Sequence, residues 1–126
     1  MSRITTHVLD TARGRPAAGV PVLLHGPGGP GGAGGPDRAD GPNGAGGLEI
    51  QGRLLGEGVT DHDGRVRTIG PERLEPGTYT LTFDVAAYDE HCFYPRVALN
   101  FRVITDEHHH VPLLLAPFTY STYRGS

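Results

Sequence analysis

An all-β antiparallel sandwich of about eight strands is what this sequence predicts, and three observations predict it. Where the chain has a clear hydrophobic period, that period is two residues, as in Tyr79, Leu81, Phe83 and Val85 against Thr78, Thr80, Thr82 and Asp84. Turn signals carrying Gly, Pro or Asp-Gly separate such segments at short intervals. No window sustains a 3.6-residue period, so at most one short helix fits, around Ala86 to His91. Short strands with one apolar face bury it by packing two sheets together.

The elements follow in order. From Ile4 to Asp10 the residues alternate, with Ile4, Thr6 and Val8 on one face and Thr5, His7 and Leu9 on the other, which places His7 in mid-strand. Gly14 and Pro16 reverse the chain, and Val20 to His25 reads as a second strand whose Pro21 predicts a start near a sheet edge. From Gly26 to Gly47, 11 Gly and 4 Pro make up 15 of 22 residues with almost nothing apolar to bury, so this insertion is expected to be disordered. Lengthening a loop to this extent costs only about 1.3 kcal/mol of closure entropy.

Order is expected again near Gly52. Leu54 to Thr60, the turn Asp61-His62-Asp63-Gly64 and Arg65 to Ile69 together predict a hairpin. After Pro76-Gly77 come the strand Thr78 to Val85 and another carrying Val97, Leu99, Phe101 and Val103. His108 to Leu115 is the next, and after Pro117 the stretch Thr119 to Arg124 is a last short strand. At 126 residues the chain fits one domain spanning 1–126, interrupted by the segment 26–47.

Composition narrows the partners. A formal net charge of −3 with scattered basic residues argues against nucleic acid or an anionic membrane. The single Cys92 excludes an internal disulfide and points to a reducing compartment. The first residues run straight into an alternating strand, with no apolar run for a signal peptide or a membrane span, so a soluble cytoplasmic protein is expected.

Seven histidines are many for this length. His108 and His110 share one strand face and His109 lies on the other; the group admits a metal reading, but spacing alone gives more weight to a polar strand end with solvated imidazoles. Taken singly, His7 reads as a hydrogen-bonded structural histidine, Arg65 as an exposed strand residue and Tyr123 as a packing aromatic.

Together these residues resemble a family. Thr6-His7-Val8-Leu9-Asp10 with Gly14-Arg15-Pro16-Ala17-Ala18-Gly19-Val20-Pro21-Val22 is similar to the amino-terminal signature of the transthyretin-like 5-hydroxyisourate hydrolases. His108-His109-His110-Val111-Pro112-Leu113-Leu114-Leu115-Ala116-Pro117-Phe118 and Tyr120-Ser121-Thr122-Tyr123-Arg124-Gly125-Ser126 resemble its carboxy-terminal signature, whose Tyr-Arg-Gly-Ser ending sets the enzymes apart from hormone-carrying transthyretins. Thr60-Asp61-His62-Asp63-Gly64-Arg65 matches the family's Thr-x-x-Asp-Gly-Arg.

The resemblance implies a transthyretin-like sandwich in two sheets, assembled as a homotetramer, a dimer of dimers whose interface forms a channel holding the sites. It implies His7, Arg65 and His110 as catalytic residues, with His7, Arg65, Tyr123 and Ser126 binding substrate and Arg124 and Gly125 completing the tail. The implied reaction adds water to the N1–C6 amide of 5-hydroxyisourate, giving 2-oxo-4-hydroxy-4-carboxy-5-ureidoimidazoline in urate degradation, without a metal or other cofactor. An imidazole titrating near neutrality suits the base, with His7 expected in that role and His110 as its partner. Arg65 offers a rigid fork to the carbonyl oxygens.

Two other readings use the same residues: a hydrolase of another cyclic ureide, and a non-catalytic ligand carrier. Two imidazoles and a guanidinium suit a polar heterocycle better than an aromatic hormone. The stretch Ala86 to Pro95 is shorter than the family's segment, which places subunit contacts there in question but leaves the motif residues intact.

Overall fold

The computed structural model describes residues 3–27 and 52–125. Nine strands are present among them: β1 Ile4–Asp10, the two-residue β2 Arg15–Pro16, β3 Pro21–Gly26, β4 Arg53–Val59, β5 Arg65–Ile69, β6 Gly77–Asp84, β7 Arg96–Val103, β8 His109–Ala116 and β9 Thr119–Thr122. One 3-10 turn, Val85–Ala87, is the helical element, capped by Asp84, whose side chain accepts from the Ala87 N–H. No helix among the described residues is long and apolar enough to cross a membrane.

The strands form two sheets. One has the order β2-β1-β8-β9, with β5 also on β1; the other runs β4-β3-β6-β7. Every pairing is antiparallel except β1 with β8, which is parallel from Ile4↔His109 to Asp10↔Leu115. Parallel neighbours need a long connection, and here the first and eighth strands meet.

Alternation decides what lies between the sheets. Ile4, Val8, Val22, Leu24, Leu81, Phe83, Val97 and Leu113 are all at most 1 % exposed and form the core with Tyr79, Val20 and Val103. Burying each such side chain contributes roughly 1.5–3 kcal/mol.

Three expectations meet corrections. Leu54 to Ile69 is not a hairpin: β4 pairs with β3 and β5 with β1, in different sheets. The turn closes as expected, with the Gly64 N–H on the Asp61 carbonyl at 2.8 Å and the Asp61 N–H on the Arg65 carbonyl at 3.0 Å. Beyond it the strands diverge, because Thr60 is claimed by the segment leading into β3, where its hydroxyl donates to the Ala17 carbonyl at 2.7 Å and accepts from the Val20 N–H at 2.8 Å. On the other side, the Gly64 carbonyl accepts from the Val8 N–H of β1 at 2.7 Å.

Pro21 does not mark an edge strand either, since β3 lies between β4 and β6. It is tolerated because the β6 ladder begins one residue later, at Val22↔Phe83. Finally, Gly26 belongs to β3, paired with Arg53. The rest of the expected insertion, from residue 28, lies outside the described residues.

Candidate active site

The site is built on the outer face of β1. Because Ile4, Thr6, Val8 and Asp10 turn inward, Thr5 and His7 turn outward. The antiparallel register sets His7 opposite Arg65 of β5, and the parallel register sets Thr5 beside His110 of β8. Residues paired across a sheet share a face, so one guanidinium and two imidazoles from three strands converge. The His7 and His110 ring centroids lie 6.5 Å apart.

Each ring has one nitrogen committed. Nε2 of His7 lies 2.9 Å from the Asp63 carbonyl oxygen. A carbonyl only accepts, so this nitrogen carries the proton and neutral His7 has its lone pair on Nδ1. Nδ1 of His110 lies 2.8 Å from the Thr5 hydroxyl, and that hydroxyl also lies 3.0 Å from Nε2 of His108. His110 is half-buried and His108 is exposed. Burial, and then the charges of Arg65, His7 and His108, hold the His110 imidazole below the ordinary histidine value, so its neutral form prevails near neutrality.

The Asp-x-Asp-Gly turn sets Arg65 and the His7 partner. Asp61 accepts from the Asp63 and Arg65 N–H groups at 2.9 and 3.0 Å, fixing the loop. Gly64 has φ +78°, and a Cβ there would stand 2.4 Å from the Val8 carbonyl oxygen, so this turn admits glycine alone. That close approach brings the Asp63 carbonyl to His7.

The tail reaches the same face. The Gly125 N–H donates to the His110 carbonyl at 2.8 Å, and a Cβ on Gly125 would stand 2.6 Å from Cδ2 of the His110 ring. The glycine backbone therefore lies against the imidazole. Arg124 turns away to Glu107, 3.3 Å distant. Tyr123, 58 % exposed, lines a cavity of about 330 Å³ with Phe101, His109 and Val111 on the inner side of β8, away from the His7 ring. Ser126 lies outside the described residues. His109 turns inward, its Nδ1 on the Glu107 carbonyl at 2.7 Å, so the three consecutive histidines divide between two faces and do not converge on one point.

Thr5 is the residue that sequence reading passes over. Its only signal is a place two residues before His7 on the same strand face, and nothing in the sequence sets it beside residue 110.

Comparison with known proteins places the fold in a family. The profile of the HIUase/Transthyretin family matches residues 4–125. This chain belongs to that family. It is 47 % identical over 134 residues to the uric acid degradation bifunctional protein of Arabidopsis thaliana, with 98 % of this chain aligned; it spans 37 % of that protein's length. It is 42 % identical over 136 residues to the 5-hydroxyisourate hydrolase of Deinococcus radiodurans, covering 98 % of this chain and 95 % of the relative. The structure of Klebsiella pneumoniae 5-hydroxyisourate hydrolase superposes with a TM-score of 0.72 at 30 % identity, over 98 % of both chains. The HIUase/Transthyretin fold is thus present in its two-sheet form, with the His7, Arg65 and His110 cluster on an outer sheet face.

Proposed function

We propose that this chain hydrolyses 5-hydroxyisourate, adding water across its N1–C6 amide in urate degradation. The observation that carries the reading is the convergence of His7, Arg65 and His110 from β1, β5 and β8 on one sheet face, each imidazole keeping one ring nitrogen free of the partner described above.

In this proposal His110 is the base, reversing the division of labour expected from sequence, because its surroundings favour the neutral imidazole. It takes a proton from water as the oxygen attacks C6. His7, proton on Nε2 and lone pair on Nδ1, orients that water. Arg65 donates to the carbonyl oxygen on which negative charge develops. His110 then returns a proton to N1 as the C–N bond breaks. Ser126 binds substrate from the tail in this reading, whereas Tyr123, turned toward the other cavity, makes no substrate contact.

The assembly belongs to the same proposal: a cytoplasmic homotetramer, a dimer of dimers, in which a second copy faces the site. Its support is geometric. The cluster lies on an open sheet face, while the cavities of about 290 and 330 Å³ are lined by other residues. A facing copy supplies the wall that excludes water.

The test generates 5-hydroxyisourate from urate with urate oxidase and follows its ultraviolet decay. The native chain is expected to accelerate the decay and His7→Ala and Arg65→Ala to fail. An unchanged spontaneous rate with folded native protein rejects the reading.

A further inference from the structure

We propose that Thr5 and His108 form a proton relay that connects His110 to solvent and lets His110 act as base without retaining the charge. The inference rests on the hydrolase reading and extends it to two residues that do not touch the substrate.

Geometry carries it. One hydroxyl sits between two imidazole nitrogens, 2.8 Å from Nδ1 of His110 and 3.0 Å from Nε2 of His108. A threonine hydroxyl has one proton and two acceptor positions, so it can accept from one ring while donating to the other. The two rings are therefore coupled in tautomer. If Nδ1–H of His110 donates to Thr5, then Thr5 donates to Nε2 of His108, and Nε2 of His110 holds the lone pair on the side away from Thr5. The His108 ring is tilted only 22° from that of His110, with centroids 6.4 Å apart, and is exposed.

The chemistry needs such an exit. His110 faces His7 on β1, Arg65 on β5, His108 just before its own strand and the Gly125 backbone in the tail. A half-buried imidazolium among those groups is costly, so a base that merely kept the proton would work against its own environment. In the relay, water loses a proton to Nε2 of His110 as its oxygen bonds to C6 and the carbonyl π electrons move to oxygen. Nδ1–H of His110 passes to the Thr5 oxygen, the Thr5 proton passes to Nε2 of His108, and the positive charge rests on the exposed ring.

His110 is now neutral with its proton on Nε2. When the oxyanion collapses and the C6–N1 bond breaks, Nε2–H protonates N1, and the relay runs backwards to restore Nδ1–H. Amide and water become acid and N–H, and every group returns to its first state.

The experiment compares the native full-length chain with Thr5→Val, Thr5→Ser, His108→Gln and the double variant Thr5→Val/His108→Gln, with His110→Asn as reference. Readouts are kcat, KM and the dependence of kcat on the deuterium fraction of the solvent. Thr5→Val and His108→Gln are each expected to lower kcat about 10- to 100-fold at nearly constant KM, with no further loss in the double variant. Thr5→Ser restores kcat to within about threefold. A native kcat that falls along a curve with deuterium fraction becomes linear in Thr5→Val, as several moving protons reduce to one.

If Thr5→Val and His108→Gln keep near-native kcat while His110→Asn is inactive, the relay is rejected and the hydrolase reading survives. If Thr5→Ser fails like Thr5→Val, the hydroxyl has no role and the relay is again rejected. A native chain without turnover overturns both.

Discussion

Strand β1 carries two polar clusters, and they differ in what is left over. At its carboxy end Asp10 is 4 % exposed and its carboxylate is saturated: it accepts from the Tyr88 hydroxyl at 2.7 Å, the Arg13 guanidinium at 2.8 Å and the Arg13 N–H at 3.0 Å. Burial pushes this carboxyl up, but the bonds from Tyr88 and Arg13 outweigh it and the net shift is downward. On the opposite face of β1, Thr5 and His7 meet His110 of β8, and His7 and His110 each leave one ring nitrogen without a bond to the partner that fixes the ring. A saturated cluster holds chain segments together, here the β1–β2 turn and the stretch after the 3-10 turn. An unsaturated one has bonding capacity to offer a substrate.

Four changes break or sharpen this contrast. Arg65→Lys keeps a cation and loses the planar fork, and is expected to cost about 100-fold in kcat/KM, or about 2.7 kcal/mol of transition-state stabilisation, while the thermal midpoint stays nearly unchanged. Activity within about threefold of native would show that charge alone suffices.

Asp10→Asn is expected to do the opposite. It removes the charge and one of the two acceptor oxygens that Tyr88 and Arg13 use, and lowers stability by about 2 kcal/mol, seen as a midpoint drop of about 6–10 °C, with kcat intact. A kcat loss larger than the stability loss would mean that the two ends of β1 are not independent.

Gly125→Ala drives a methyl group into the His110 ring and is expected to lower kcat about three- to tenfold by displacing the imidazole. Displacement of the tail instead would leave kcat unchanged.

The smallest effect is on stability against pH. The unfolded chain takes up a proton as pH falls through the ordinary histidine value of 6.5, while folded His110 resists until lower pH. Stability is therefore full above about 6.5 and declines as pH falls through the folded value. Half-buried His25 adds a decline of the same sign. His110→Asn is expected to flatten the fall of the thermal midpoint between about pH 7 and pH 5.5 without abolishing it; an unchanged slope would place the titration elsewhere.

The strand count, the inward and outward residues of β1, and the splitting of His109 from His108 and His110 were legible in sequence, because a side chain's face follows from the two-residue strand period alone; in β6 the same period does not separate inside from outside, since Thr80 and Thr82 are buried along with Tyr79, Leu81 and Phe83. Turn closure at Asp61 to Gly64 was legible for a similar reason, since glycine after Asp signals a positive φ. The hairpin reading failed because a closed turn does not oblige its flanking strands to pair: Thr60 is bonded to the segment before β3 and Gly64 to β1. Likewise the spacing of Val66 and Ile69, both buried, makes sense only with the bulge that shifts β5 against β1.

By itself, then, the sequence determined the all-β class, the family, and His7, Arg65 and His110 as the residues of interest, since these depend on local period and on motif. Tertiary structure alone decided that β1 and β8 run parallel with Thr5 against His110, that Asp63 lends its carbonyl to His7, and that Tyr123 turns toward another cavity. The first rests on register between strands about a hundred residues apart and the others on contacts between segments that only the folded sheets bring together, and register is chosen by the packing of the whole core.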